Sequence, residues 1–286
     1  KDGNTLTVAG HVYDLSAFNH VYLIGIGKAS YVAVTALENI LGDAMTSGIV
    51  IDKSIGEQHK SSSYKGDHPL PTVYNVELSE KVADLARSAT EHDLVIVVIS
   101  GGGSSLFCYP MSECEQGNIL YEKFLATGGS ISELNTLRKH ISSVKGGGLA
   151  QMLYPATVAS LIFSDVPGDA YDFVASGPTY KDTTTVLDAE ALLAKYGIEN
   201  TFSFNETPKD AMYFEKITNI PLVSNIHAVE GMKEKAQSLG YNVIVQSTEE
   251  YREASIVLAE MKACASSKTA VMVAGEPSVV VEHGGD

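Results

Sequence analysis

The stretch His20 to Leu41, HVYLIGIGKASYVAVTALENIL, decides how this chain is read. Its opening, His20 to Gly25, is a short apolar run of the kind that forms a strand buried on both faces. From Tyr31 to Leu41, alanine, valine and leucine recur at helical spacing, so the intervening Gly25-Ile26-Gly27-Lys28-Ala29-Ser30 is the turn of a β–turn–α unit. The pattern then repeats. Gly48 to Asp52 reads as a second strand, Tyr74 to Thr90 as a helix with Leu78, Val82 and Leu85 on one face, and Asp93 to Ile99 as a fully apolar third strand. Strands apolar on both faces imply a parallel sheet sandwiched by helices. Ser100 to Ser105 then falls at the carboxyl end of the third strand, where open α/β sheets place their ligands.

Working outward, Gln116 to Met152 is helical in pattern, interrupted at Thr127-Gly128-Gly129 and at Lys145-Gly146-Gly147-Gly148. Ala156 to Phe163 is another buried strand, running into Ser164-Asp165-Val166-Pro167-Gly168-Asp169 and then Ala175-Ser176-Gly177-Pro178-Thr179. Val186 to Tyr196 reads as a helix, Ile220 to Ser224 and Asn242 to Gln246 as strands followed by helices, and Thr269 to Ala274 as a last strand. The expected fold class is α/β with two α/β/α layered domains. The first, residues 1–215 with its boundary somewhere in 180–220, is Rossmann-like with a mostly parallel sheet; the second begins at residue 216.

With 286 residues, 44% apolar and 19% charged, the chain can bury a sizeable core. Its net charge of −15 opposes nucleic acid phosphates and anionic membrane surfaces, so an anionic ligand needs a local basic site. No apolar run approaches the roughly 20 residues of a membrane span. The 3 cysteines, without CxxC spacing, argue against structural zinc or a disulfide framework, and a cytoplasmic location is the default. No secretory signal is visible at Lys1.

The glycine turns admit several readings. Around Lys28 a phosphate-binding P-loop fails, because Tyr22 and Ala29 stand where glycine and Ser/Thr are needed. A dinucleotide fingerprint is partial, with Ser30 at the third glycine and Asp52 placed as a ribose-binding acid. Lys28 beside a helix amino end makes an anion site. Ser104 lacks the second glycine of a nucleophile elbow, since Leu106 occupies that place. Three glycines at Gly101, Gly102 and Gly103 instead let backbone approach a ligand, with amides and the hydroxyls of Ser100 and Ser104 aimed at anionic oxygens. Between Glu133 and Asp165 no acid occurs, while Asn135, Arg138 and Ser142 share one helix side; Asn135, Arg138 and Lys145 are read as inward-facing anion ligands, Lys139 and His140 as turned partly away. Asp165 and Asp169 suit Mg²⁺, against the plainer reading of an Asp-rich turn. His68, between Asp67 and Pro69, is a candidate for the same cleft.

In this order, GIGKAS, GDHPLP, SGGGSSL, ELNTLRKHISSVKGGGLA, SDVPGD, ASGPT and AGEPSVVV resemble the glycerate kinases whose carboxyl-terminal portion is called the MOFRL domain, from about Val21 to Val281. The resemblance implies ATP-dependent phosphorylation of D-glycerate, usually at the 2-hydroxyl, in an interdomain cleft, with ATP and Mg²⁺ as cofactors. A homo-oligomer is compatible with it. The lysine suspected in catalysis matches Lys28, the SGGGS loop Ser100 through Ser104, the N-x-x-RKH and KGG pieces Asn135, Arg138 and Lys145, and the SDVPGD acids Asp165 and Asp169. Family members continue past the strand Gly275 to Val281 into a segment bearing a further suspected arginine, so the second domain, 216–286, is expected to be incomplete here. The rival expectations are a nicotinamide oxidoreductase acting on hydroxypyruvate or tartronate, and a non-catalytic sugar-acid or nucleotide-binding protein.

Overall fold

The structure, a computed structural model, describes residues 1–57, 60–166, 168 and 170–279. Its elements run β1 (Thr5–Val8), β2 (His11–Asp14), β3 (His20–Ile26), α1 (Ser30–Leu41), β4 (Ser47–Asp52), β5 (Ser61–Lys65), α2 (Val73–Ser88), β6 (Asp93–Ser100), α3 (Gly103–Leu106), α4 (Met111–Leu125), α5 (Ile131–His140), α6 (Gly148–Leu153), β7 (Thr157–Phe163), α7 (Val186–Lys195), β8 (Ile217–Val223), α8 (Asn225–Ser238), β9 (Asn242–Glu250), α9 (Ala254–Cys264) and β10 (Thr269–Gly275). The chain divides into two compact units, one of Lys1–Phe163 and Tyr171–Leu222, the other of Ser164–Ala170 and Val223–Asp286.

The first unit is built on a six-stranded sheet in the order β5-β4-β3-β6-β7-β8. The apolar runs read as strands are its centre: β3 pairs in parallel with both β4 and β6, and β6 with β7. Every residue of β6 is buried, which is why that strand carries no alternation. Leu23, Val34, Leu41, Leu94, Ile96, Val98 and Leu161 form the core beside α1. A smaller core of Leu120, Phe124, Leu134, Leu137, Ile141 and Leu193 joins α4, α5 and α7. Capping boxes start two of these helices, Ser130 with Glu133 at α5 and Thr185 with Asp188 at α7, each supplying acceptors to otherwise orphaned amides.

Three features depart from the sequence reading. Edge strand β5 (SSSYK) has too little apolar surface to show in a periodicity, and its register follows from pairing with β4. The β1–β2 hairpin was not read either; it turns on Ala9 and Gly10, both at positive φ. Residues 216–222 belong to the first unit, because Lys216 O accepts from Val158 N and β8 joins the sheet beside β7. The second unit contains the parallel pair β9–β10 with α8 and α9. Among the described residues no helix is long and apolar enough to cross a membrane.

The turn after β3 depends on Gly27. Its φ is +113°, and a Cβ there would lie 2.3 Å from the Ser100 carbonyl oxygen. Gly27→Ala is expected to cost on the order of 3 kcal/mol, combining left-handed strain with a backbone clash. The urea midpoint of unfolding, compared at constant m-value, checks this.

Candidate active site

The carboxyl edge of the parallel sheet brings the two glycine turns together. Ser100 Oγ accepts from Ala29 N at 3.1 Å and donates to Ile26 O at 3.4 Å, while Lys28 N donates to Gly101 O at 2.9 Å. The Ser100 hydroxyl therefore ties one turn to the other instead of facing a ligand. A Cβ at Gly102, whose φ is +79°, would sit 2.5 Å from Lys28 Cε and 3.2 Å from His68 Cδ2. The bare glycine is what lets both side chains lie over the loop. Lys28 is exposed and, among the described residues, its side chain makes no hydrogen bond or ion pair.

His68 thus adjoins the Lys28 turn. Partial burial, with the ammonium groups of Lys28 and then Lys53 beside it, holds its imidazole below the ordinary 6.5. Lys53 was missed by sequence reasoning. The signal available was its place directly after β4, at the same sheet edge as the glycine turns.

At the other end of the loop, Ser104 and Ser105 line a narrow cleft with Asn118, Tyr121, Arg138 and the Pro69–Pro71 segment. The Arg138 guanidinium lies 5.0 Å from the Tyr121 ring centroid and has no carboxylate or hydrogen-bond partner among the described residues. Burial lowers its pKa from the usual guanidinium range, yet arginine stays charged in such surroundings. A half-buried guanidinium stacked on a ring, with its donors unpaired among the described residues, has the chemistry to bind an anion.

The remaining basic residues of this segment are engaged internally. Lys145 is only 1% exposed and its ammonium bonds Glu113 and, at 2.8 Å, Phe107 O. It lines the cleft as one half of a buried pair, not as a free cation. Burial pushes the Glu113 carboxyl up, and Lys145 works against that shift. Asn135 accepts from Ser176 Oγ at 2.9 Å, and Ser176 lies 3.0 Å from Ser104 Oγ. Lys139 and His140 do turn away from Arg138, but into the protein: Lys139 Nζ is 3.2 Å from Asp182 Oδ1, and His140 bonds Asn205 O and Thr184 Oγ1.

The acids divide differently. Both oxygens of buried Asp52 are occupied, Oδ2 by Tyr31 N at 2.9 Å and Oδ1 by Ser54 N at 3.0 Å. It anchors the start of α1 and, at 1% exposure, is closed to a ribose. Asp165 is exposed and belongs to the second unit, and Asp169 lies outside the described residues. Among the described residues no group of three or more His, Cys, Asp or Glu side chains could hold a metal ion.

Asp182 organises the support behind the basic segment. Burial disfavours its charge, but Lys139 and the bonds from Thr184 and Thr207 outweigh that and bring its pKa below the ordinary 3.8. Its stabilising contribution is therefore present above about pH 3.9 and lost as pH falls through the lower folded value. Asp182→Asn is expected to lower stability at pH 7 by about 3 kcal/mol, with the gap to the unaltered protein closing below pH 4. Denaturant unfolding across that range is the measurement.

Comparison with known proteins adds a lineage to this geometry. A family model described as "Domain of unknown function (DUF4147)" matches residues 1–207. The D-glycerate 2-kinase of Thermotoga maritima is 36% identical over 257 residues, covering 85% of this chain and 61% of that protein. A putative hydroxypyruvate reductase of Agrobacterium vitis is 38% identical over 198 residues, covering 65% of this chain and 45% of that protein. The crystal structure of glycerate kinase from Thermotoga maritima matches with a TM-score of 0.82 at 32% identity, over 94% of this chain and 69% of that one. The chain thus spans 61% and 45% of the lengths of these two curated relatives. The shared fold and the extent of these matches mean that the chain belongs to the DUF4147 family and to the family of the Thermotoga maritima glycerate kinase.

Proposed function

We propose that the whole protein phosphorylates D-glycerate with ATP, giving 2-phosphoglycerate. The observation that carries the proposal is a pair of unpaired cationic seats at the two ends of one glycine loop: Lys28 over Gly102, and Arg138 beside Ser104. A phosphoryl donor and a small acid must be held in line, and such a loop provides both grips on one rigid edge. The glycerate kinase names of the relatives support the same substrate.

In this reading Lys28, aided by Lys53 and the Gly101–Gly103 backbone, neutralises phosphate oxygens, and it is the proposed catalytic residue. Arg138 takes the glycerate carboxylate through two parallel bonds. Asn135 and Lys145 act from behind, Asn135 through Ser176 and Lys145 through Glu113. Asp165 and Asp169 are the proposed carboxylates for the hydroxyl proton or for Mg²⁺. The described residues do not build a metal cage by themselves; Mg²⁺ ordinarily takes one or two carboxylates and relies on phosphates and water for the rest. A location in the cytoplasm fits this chemistry and is likewise proposed.

The rival reading is a nicotinamide oxidoreductase, favoured by the putative hydroxypyruvate reductase name among the relatives, but the acid it needs after the second strand, Asp52, is 1% exposed and bonded to the backbone of Tyr31 and Ser54. ADP release from the full-length protein with D-glycerate and Mg-ATP, with the product identified by phosphorus NMR, tests the proposal. Consumption of reduced nicotinamide with hydroxypyruvate and no ATP would overturn it. Lys28→Ala is expected to lower kcat by roughly 10²-fold or more, the scale of one lost transition-state charge contact. Arg138→Lys keeps the charge and loses the fork, so KM for glycerate should rise at least about tenfold with KM for ATP little changed. Steady-state kinetics reads both.

A further inference from the structure

Ala175, Ser176 and Gly177 run consecutively at positive φ, +52°, +59° and +65°. Side chains with a Cβ disfavour that region, so neighbours must hold the segment there. Gly146 N and Gly147 N donate to Ser176 O and Gly177 O, each at 2.9 Å, and Ala150 N donates to Pro178 O at 3.1 Å. The glycine loop presses against the same segment: a Cβ at Gly103 would fall 2.5 Å from Ala175 Cβ. The held residue is Ser176, fully buried between Asn135 and Ser104.

Counting protons gives this arrangement a direction. A serine hydroxyl has one proton to donate. Ser176 gives its proton to Asn135 Oδ1 at 2.9 Å, so in the 3.0 Å contact with Ser104 it is the acceptor. The Ser104 proton is therefore directed inward, and on the cleft wall beside Arg138 its oxygen offers lone pairs alone. We infer that Ser176 is a positioning residue that makes Ser104 a hydrogen-bond acceptor toward the ligand, so that the cleft selects an acid carrying a hydroxyl over the corresponding keto acid. The inference rests on the reading of the cleft as the seat of a small hydroxy acid. A substrate hydroxyl donates to Ser104 Oγ without disturbing the chain of bonds. A keto oxygen has no proton to give, and it is accommodated only when Ser104 abandons Ser176.

The test is titration calorimetry of the full-length protein with D-glycerate and with hydroxypyruvate, which differ at the second carbon, alongside ADP release. The unaltered protein should bind D-glycerate roughly tenfold or more tightly than hydroxypyruvate. Ser176→Ala should bring the two affinities to within about threefold, with ATP affinity little changed and the fold retained by circular dichroism, although the unpaired Asn135 oxygen lowers the melting temperature. Asn135→Asp retains an acceptor for Ser176 and should keep more of the preference than Asn135→Leu. Equal preference in Ser176→Ala and the unaltered protein overturns the inference, as does a reversed order of the two Asn135 variants or a preference for the keto acid. Absence of ADP release from a protein that still discriminates as expected counts against the kinase reading and for this one.

Discussion

The bonds that join the Lys28 turn to the Ser100–Ser105 loop underlie everything else at the carboxyl edge of the sheet. Ser100 Oγ reaches Ala29 N and Ile26 O, and Lys28 N reaches Gly101 O, across strands β3 and β6 that lie side by side. Such an approach is open only to a residue without a Cβ at position 27. Because the strands are neighbours in one parallel sheet, their two following turns must meet, and a short hydroxyl is long enough to fix them. The loop that results is held by its backbone, which leaves Lys28 free of internal duties.

Charge is the second constraint. The chain carries a net charge of −15, and the basic segment of α5 and its sequel shows how selectively buried cations meet its carboxylates. Lys139 meets Asp182 and Lys145 meets Glu113, both in buried surroundings where an unpaired charge would be costly. Arg138, which precedes both in sequence, has only the Tyr121 ring among the described residues. A half-buried cation left unpaired in such surroundings is open to a partner from outside. Among the described residues Arg138 thus stands apart from Lys139 and Lys145, and Lys28 and Lys53 likewise make no ion pair.

Legibility followed chemistry at close range. The apolar runs of β3, β4, β6 and β7 are visible in the sequence because a strand buried on both faces must be apolar throughout, and the loop at 100–105 follows from the position of β6. Strand β5, with three serines and a lysine, is a strand because β4 has an open edge to pair with, which no local pattern announces. Likewise the three-residue spacing of Asn135 and Arg138 placed them on one side of a helix, yet their tasks differ. One is buried against Ser176 and the other faces a cleft, a distinction drawn by ASGPT arriving from forty residues downstream.

What the amino-acid sequence by itself determined is the parallel sheet, the place of its ligand-bearing edge, and the set of glycine, serine and basic residues gathered there. Short-range rules suffice for these, since periodicity and turn chemistry act within a few residues. Only the tertiary structure decided which members of that set remain available. Lys145 and Asp52 are withdrawn by Glu113 and by the α1 amide of Tyr31, Ser100 by the neighbouring turn, and Lys53 is added beside His68. The physical reason is that a hydrogen-bonding group is defined by its partner, and these partners lie tens of residues away along the chain.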